Sequence, residues 1–396
     1  MAIVAAGIIF PVTDALALWD NKLELFATET VTSGDNVFRS SNDSNPATVL
    51  GSSEKGDTYR TTAFGFNLNV PVSRQRFQVS AIWNNNRYQR LTNLDFNGHD
   101  GTAVWLWQLG NDLSGKLGYE ETSALASFSN VGGRSADPLK TRQTFGDAAY
   151  VITPRWRLEA GARELKQTNG DTTRQASDVN IRNTDFMLSY VTPRENSIGL
   201  SLREEDGRYP NRQLVAGSLF DNAYTQHSVG TVIDWTITGK SHLNAHADRV
   251  SRDYDQLPAR NFDGTTFRAV YDWKPTGKLS LNVIAHRDIS AIEDVGTSFV
   301  LIKGFELRPS LNLTDKIDLS GSLGYSIWDY LGDPGIVLGT LPNRRDRVRS
   351  ISAAALYRPD RAITLILSLL HEKRSSNVQF RDYAVNVVQL NFRIAF

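Results

Sequence analysis

The chain closes on Val388-Gln389-Leu390-Asn391-Phe392-Arg393-Ile394-Ala395-Phe396, where every second residue is apolar, most residues between are polar, and the last is an aromatic. Successive side chains of a β-strand point to opposite faces, so Val388, Leu390, Phe392, Ile394 and Phe396 share one face, and Gln389, Asn391 and Arg393 the other. A soluble sandwich strand can alternate in this way, but it has no physical reason to finish on an aromatic. A membrane-barrel strand does, because its end sits in an interfacial girdle of aromatic rings. The stretch predicts the closing strand of an outer-membrane β-barrel.

Composition agrees. The 396 residues are 40% hydrophobic and the mean hydropathy is negative. Beyond the N-terminus no apolar run approaches the roughly 20 residues that a spanning helix needs. Barrel strands escape that requirement because each offers lipid only half its residues. The chain has no cysteine, which excludes disulfide staples, thiolate metal sites and Cys nucleophiles. Lys plus Arg equals Asp plus Glu at 43 each, which argues against a nucleic-acid partner. At the start, residues 1-17 (MAIVAAGIIFPVTDALA) carry a short apolar stretch and the small-x-small sequence Ala15-Leu16-Ala17, so they read as a signal-peptide remnant. Residues 18-396 then form a single outer-membrane barrel domain with no plug domain before its first strand.

Tight turns recur about every 40 residues: Val70-Pro-Val-Ser-Arg74, Gly110-Asn-Asp-Leu113, Thr153-Pro-Arg155, Thr192-Pro-Arg-Glu-Asn196, Thr238-Gly-Lys240, Lys274-Pro-Thr-Gly-Lys278, Thr314-Asp-Lys316 and Arg358-Pro-Asp-Arg361. Longer polar stretches at 33–56, 130–140, 169–178, 206–222 and 331–345 alternate with them. Short turns on one rim and long loops on the other are the habit of outer-membrane barrels, the short turns being periplasmic. The segments between count to about 18 strands, with 16 the alternative, in an all-β, transmembrane, antiparallel, up-and-down barrel. A propeller competes for the same spacing, but the chain lacks a repeated Gly-His or Trp-Asp signature. Trp107, Tyr150, Trp156, Tyr190, Trp235, Trp273, Tyr357 and Phe396 lie within a few residues of the tight turns, as interfacial aromatics should.

On the phase opposite the lipid face, the predicted pore lining is Arg157, Glu159, Arg163, Arg203, Glu205, Asp234, His242, His246, Asp248, Arg268, Asp272, His286, Asp288, Glu306, Arg308, Arg349 and Arg393. Seven cations, seven anions and three histidines make a polar, mixed-charge lumen close to neutral. Opposite charges can also simply pair across strands, so the signal lies in the lining as a whole. His242 and His246 share a strand face about 13 Å apart, too far to hold one metal. No metal site, cofactor or catalytic residue is expected: the chain has no Gly-x-Ser-x-Gly elbow, His-Glu-x-x-His or phosphate loop, and it reads as a non-enzyme. Arg344, Arg345 and Arg347 concentrate cations at a loop-to-strand junction on the rim of the long loops, which the barrel reading places outermost. Bidentate pairing with lipopolysaccharide phosphates or an acidic glycan is the chemistry such a cluster offers.

The stretch Leu18-Trp-Asp-Asn-Lys-Leu-Glu-Leu-Phe-Ala-Thr-Glu-Thr-Val31, followed by Asp35-Asn-Val-Phe-Arg39, resembles the opening of the exopolysaccharide-biosynthesis outer-membrane barrels of exosortase systems, the EpsL type. The resemblance runs through the plug-free hairpins to Phe396. It implies a protein encoded with polysaccharide-synthesis genes that moves the finished polymer across the outer membrane, and it carries over no binding residues. The terminal Phe396 further resembles the signal read by the barrel-assembly machinery, which makes that machinery a partner during biogenesis.

The first expectation is therefore an export channel for a neutral or weakly charged exopolysaccharide, with outer-membrane lipid, lipopolysaccharide, the polymer and periplasmic export components as partners. The second is a general or solute-specific diffusion porin, which a long loop folded into the barrel would favour. The third is a structural barrel scaffold around a periplasmic partner.

Overall fold

The computed structural model describes residues 22–41, 43–47, 54–128, 136–211, 223–256, 258, 261–290, 299–331 and 343–396. The expected signal segment 1–17, the first residues of the opening motif and parts of the long polar stretches lie outside them.

Eighteen strands follow in chain order: β1 (Leu23–Gly34), β2 (Asp57–Val72), β3 (Gln75–Tyr88), β4 (Phe96–Leu109), β5 (Leu113–Leu125), β6 (Pro138–Thr153), β7 (Trp156–Asn169), β8 (Val179–Val191), β9 (Ser197–Arg208), β10 (Tyr224–Thr238), β11 (Ser241–Tyr254), β12 (Phe262–Trp273), β13 (Leu279–Ser290), β14 (Phe299–Thr314), β15 (Ile317–Leu331), β16 (Arg345–Tyr357), β17 (Ile363–Ser376) and β18 (Tyr383–Ala395). Each pairs antiparallel with its neighbours in sequence, and β18 pairs with β1, with Ile394 opposite Ala27 and Leu390 opposite Val31. The sheet is closed and leaves no free edge, which is what a strand structure needs in lipid. Beyond the last ladder residue, Phe396 N–H donates to Leu25 O at 2.8 Å and seals the seam. The number of strands and the up-and-down order are those the turn spacing predicts.

Residues directly opposite each other in an antiparallel pair share a face, so one face can be followed around the sheet. From Leu390 it runs through Leu367, Ala355, Leu319, Leu311 and Leu279 on successive strands. This face is apolar, and Phe64, Trp83, Leu109, Leu200, Val229 and Phe392 all stand exposed on it. In β4 the sequence offers apolar residues on both faces. The register resolves it by placing Ala103, Trp105, Trp107 and Leu109 outside, opposite Tyr119, Leu117, Gly115 and Leu113.

The tight turns share a local chemistry. At Thr153, Thr238 and Thr314 a register shift breaks the ladder, and each threonine hydroxyl accepts the backbone N–H two residues on, at 3.2 Å from Arg155, Lys240 and Lys316. Such side-chain turns let Thr substitute for a backbone reversal. Lysines then tie one turn to the next: Lys240 Nζ donates to Pro275 O at 3.3 Å, Lys278 to Leu313 O at 3.2 Å and Lys316 to Pro359 O at 2.7 Å.

Toward the other rim the outer face turns from apolar to charged. Arg60 pairs with Glu29, Arg142 with Glu121 at 2.8 Å, Arg182 with Glu164 at 3.0 Å, Arg249 with Asp263 and Lys303 with Asp329 at 3.3 Å. An apolar belt bounded by a charged collar is the profile of a barrel wall passing from hydrocarbon to headgroups.

Candidate functional site: the lumen

The same register decides which predicted residues face inward. Arg157, Glu159, Arg163, Arg203, Glu205, Asp234, His242, His246, Asp248, Arg268, Asp272, His286, Asp288, Glu306, Arg308 and Arg393 lie on the face opposite the apolar belt. Two positions differ from the sequence reading. Arg349 stands opposite Tyr325 and Lys373 on the outer face, so it does not line the pore. Its strand carries apolar residues on both sides, Ile351 and Tyr357 outside, Val348 and Leu356 inside, and alternation alone could not set its phase. Arg344 is buried inside, its guanidinium 3.9 Å above the Tyr330 ring and 2.6 Å from Asp346, so it leaves the outer-rim cluster; Arg345 and Arg347 remain outside. The eight girdle aromatics face outward near the tight turns, and Trp156 packs edge-on against Tyr190 at 5.4 Å.

Alternation also brings inward charges that the sequence reading passed over: Glu24, Asp57, Asp100, Glu120, Asp147, Asp185, Asp318, Asp346 and Glu372, with Arg76, Lys116, Arg252 and Arg374. Inward strand positions thus hold sixteen carboxylates and ten Arg or Lys side chains, whereas outward positions hold eight and fourteen. The neutral total of the chain conceals a radial sorting of charge, acidic inside and basic outside. Alternation shows part of this sorting on the well-patterned strands, and the strand register is needed to extend it to the strands whose phase is ambiguous.

The lumen has two kinds of wall. From β7 to β14 it is ionic: His242 Nε2 lies 2.9 Å from Asp234, Asn282 donates to Asp272 at 2.8 Å, Arg268 stands 3.8 Å from Asp288, and Arg308 forms a two-pronged contact with Glu306 at 2.7 and 2.8 Å. From β15 around to β4 the wall is mainly hydroxyl and amide. Ser322 and Ser352 meet at 2.8 Å, Asn391 donates to Thr30 at 2.6 Å, and Gln389, Thr28, Asn67, Gln78 and Ser80 continue the row. Arg393 is held by Glu24 at 2.9 Å with Phe26 beneath it at 4.3 Å. Among the described residues, no three His, Asp or Glu side chains are arranged to hold a metal ion.

The loop end of the lumen is narrowed by packed side chains. Arg252, 2% exposed, lies 3.9 Å above the Tyr224 ring, donates to Gln226 at 2.9 Å and contacts Glu205 at 3.2 Å, while the Tyr224 hydroxyl donates to Glu205 at 2.7 Å. Val179, Val250, Tyr254 and Phe262 pack with this group. Across the barrel, Asp346 and Arg374 are equally buried, and Arg374 stacks over Trp328 and Tyr383.

The segment after β1 spans the space between barrel sides. Arg39 Nε contacts Glu372 at 3.3 Å, Asn36 donates to Ala384 O at 3.0 Å, and Ser41 donates to Asp382 at 2.7 Å, all on the β17–β18 side. Phe38 meanwhile meets Phe128, which follows β5, edge-on at 4.9 Å. From β17 to β5 is six strand spacings, about 29 Å around the wall. The segment thus links the β17–β18 side to the stretch that follows β5, running across part of the mouth.

A family described as "Putative beta-barrel porin 2" matches residues 226–396. The fold is shared with the outer-membrane protein OpdK of Pseudomonas aeruginosa (11% identity, TM-score 0.50, covering 94% of this chain and 99% of that one). It is also shared with OccK2 of Pseudomonas aeruginosa in complex with glucuronate (12%, TM-score 0.51, 96% and 100%) and with a BenF-like porin from Pseudomonas fluorescens (11%, TM-score 0.50, 95% and 98%). No curated protein matches the chain. At such identities the likeness is one of fold, and the chain is a porin-like β-barrel of the outer-membrane type.

Proposed function

We propose that this barrel sits in a bacterial outer membrane, tight turns in the periplasm and loops outside, and lets small hydrophilic solutes diffuse through, favouring cations and neutral molecules over anions. The carrying observation is the acidic surplus on the inward face. An aqueous channel is what a barrel of this strand number encloses, and rings of carboxylates in a pore attract cations. The segment running across part of the mouth supports a porin, because it restricts the size of what enters. OccK2 and OpdK are described with glucuronate and vanillate, both carboxylates, and anions of that kind are what the acidic lumen of this chain would disfavour. The test is the zero-current potential of the purified barrel in a planar bilayer under a tenfold KCl gradient. The sign for cation preference is expected, and the opposite sign refutes the reading.

The hydroxyl and amide wall from β15 to β4 favours a second reading, export of an uncharged exopolysaccharide whose hydroxyls exchange hydrogen bonds with Ser, Thr, Asn and Gln. Deleting the gene would then trap polymer in the periplasm. Normal surface polymer in the deletion strain rules this reading out and leaves the diffusion channel.

A further inference from the structure

The charged collar on the outer face is matched acid to base on most strands; Arg287 faces Lys303 across β13 and β14, but Lys303 reaches Asp329, whereas on β16 and β17 three cations lie together with no such partner among the described residues. On β16 and β17, Arg349 lies directly opposite Lys373, and Arg347 is two residues from Arg349 on the same face. Directly opposed like charges on a sheet repel. Elsewhere a carboxylate relieves such crowding: Lys303 and Arg345 share Asp329 at 3.3 and 3.1 Å, and Lys140 and Arg142 share Glu121 at 2.7 and 2.8 Å. Among the described residues, Arg347, Arg349 and Lys373 have no carboxylate within ion-pair distance, and all three are exposed.

Their height on the wall indicates what can neutralise them. Arg349 is followed on the same face by Ile351, and Lys373 is preceded by His371 and Leu369, so the cations stand directly above the apolar belt. A group at that height carries its charge in the headgroup layer of the outer leaflet. Guanidinium forks suit phosphate oxygens, and an ammonium beside them adds a point charge.

We propose that Arg347, Arg349 and Lys373 form a binding site on the outer wall for a phosphate group of lipopolysaccharide, the anion that this collar lacks. The site rests on the outward placement of the loop rim and is separate from the lumen. The test uses the purified full barrel and R347Q/R349Q/K373Q, with the heat-dependent gel shift confirming that each is folded. Binding is measured in detergent against lipopolysaccharide, enzymatically dephosphorylated lipopolysaccharide and phosphatidylglycerol. At about fivefold per basic residue near an anionic surface, the triple variant should lose on the order of a hundredfold in affinity for the phosphorylated lipid. It should bind the dephosphorylated one as the parent does. Neutralising the carboxylate-paired Arg60 and Arg142 should change binding by much less. Equal binding by parent and triple variant overturns the proposal, and so does an equal loss on phosphatidylglycerol, which would make the patch a general anionic-lipid contact. Zero-current potential should be unchanged in the triple variant, so the failure of this site and of the selectivity reading are read separately.

Discussion

Neutralising Asp147, Glu159 and Asp185 together, as D147N/E159Q/D185N, tests the radial sorting of charge directly. Asp147 on β6 and Asp185 on β8 both stand opposite Gly161 of β7, so the two carboxylates share one row across the inner wall, with Glu159 two residues below on the same face. Lys116, 3.3 Å from Asp147, remains and loses its partner. The inward surplus of six acids falls to three. Two unit charges 10 Å apart in water interact by about 0.4 kcal/mol, and a Debye length of about 10 Å at 0.1 M salt reduces this to about 0.15 kcal/mol. A carboxylate attracts the cation and repels the anion by this amount, so three of them contribute about 0.9 kcal/mol to selectivity. The cation-to-anion permeability ratio should fall by about four- to fivefold, read from reversal potentials in a KCl gradient near 0.1 M. At 1 M salt, where the Debye length is about 3 Å, the difference between parent and variant should nearly vanish. An unchanged ratio at low salt, or a parent barrel that prefers chloride, refutes the reasoning.

Other consequences follow from single contacts. Arg252→Leu strips Glu205 and Gln226 of their buried partner and should cost about 3–5 kcal/mol, seen as a lower urea midpoint for unfolding from vesicles; adding Glu205→Gln should restore part of it. Leu367→Arg places a charge inside the apolar belt and should cost about 2–4 kcal/mol in the same assay, whereas Arg349→Leu, at the collar, should cost far less. Phe38→Ala removes an edge-on aromatic contact worth about 0.5–1.5 kcal/mol, so the segment across the mouth should detach several-fold more often and raise open-channel noise in single-channel records.

Much of this architecture is legible in the chain because barrel strands obey a local rule. Period-two alternation, a turn signal about every 40 residues and aromatics beside those turns are all short-range patterns, and eighteen strands, their order and the girdle follow from them. The alternation from Val388 to Phe396 likewise places Arg393 inside. Local rules fail where a strand is apolar on both faces, as at Ala103 to Leu109, and at Arg349, where the sequence supports either phase. They fail again at Arg344, a residue just before its strand whose orientation depends on Tyr330 and Asp346.

By itself, then, the sequence determined the class of barrel, the strand count and the phase of its well-patterned strands, because each depends on residues close together in the chain. The tertiary structure decided what depends on closure. Pairing every strand to the next carried an unambiguous phase onto the ambiguous ones and separated an acidic interior from a basic exterior. Ring closure also brought Phe38 to Phe128 and Arg39 to Glu372, contacts between segments far apart in the chain that no local pattern encodes.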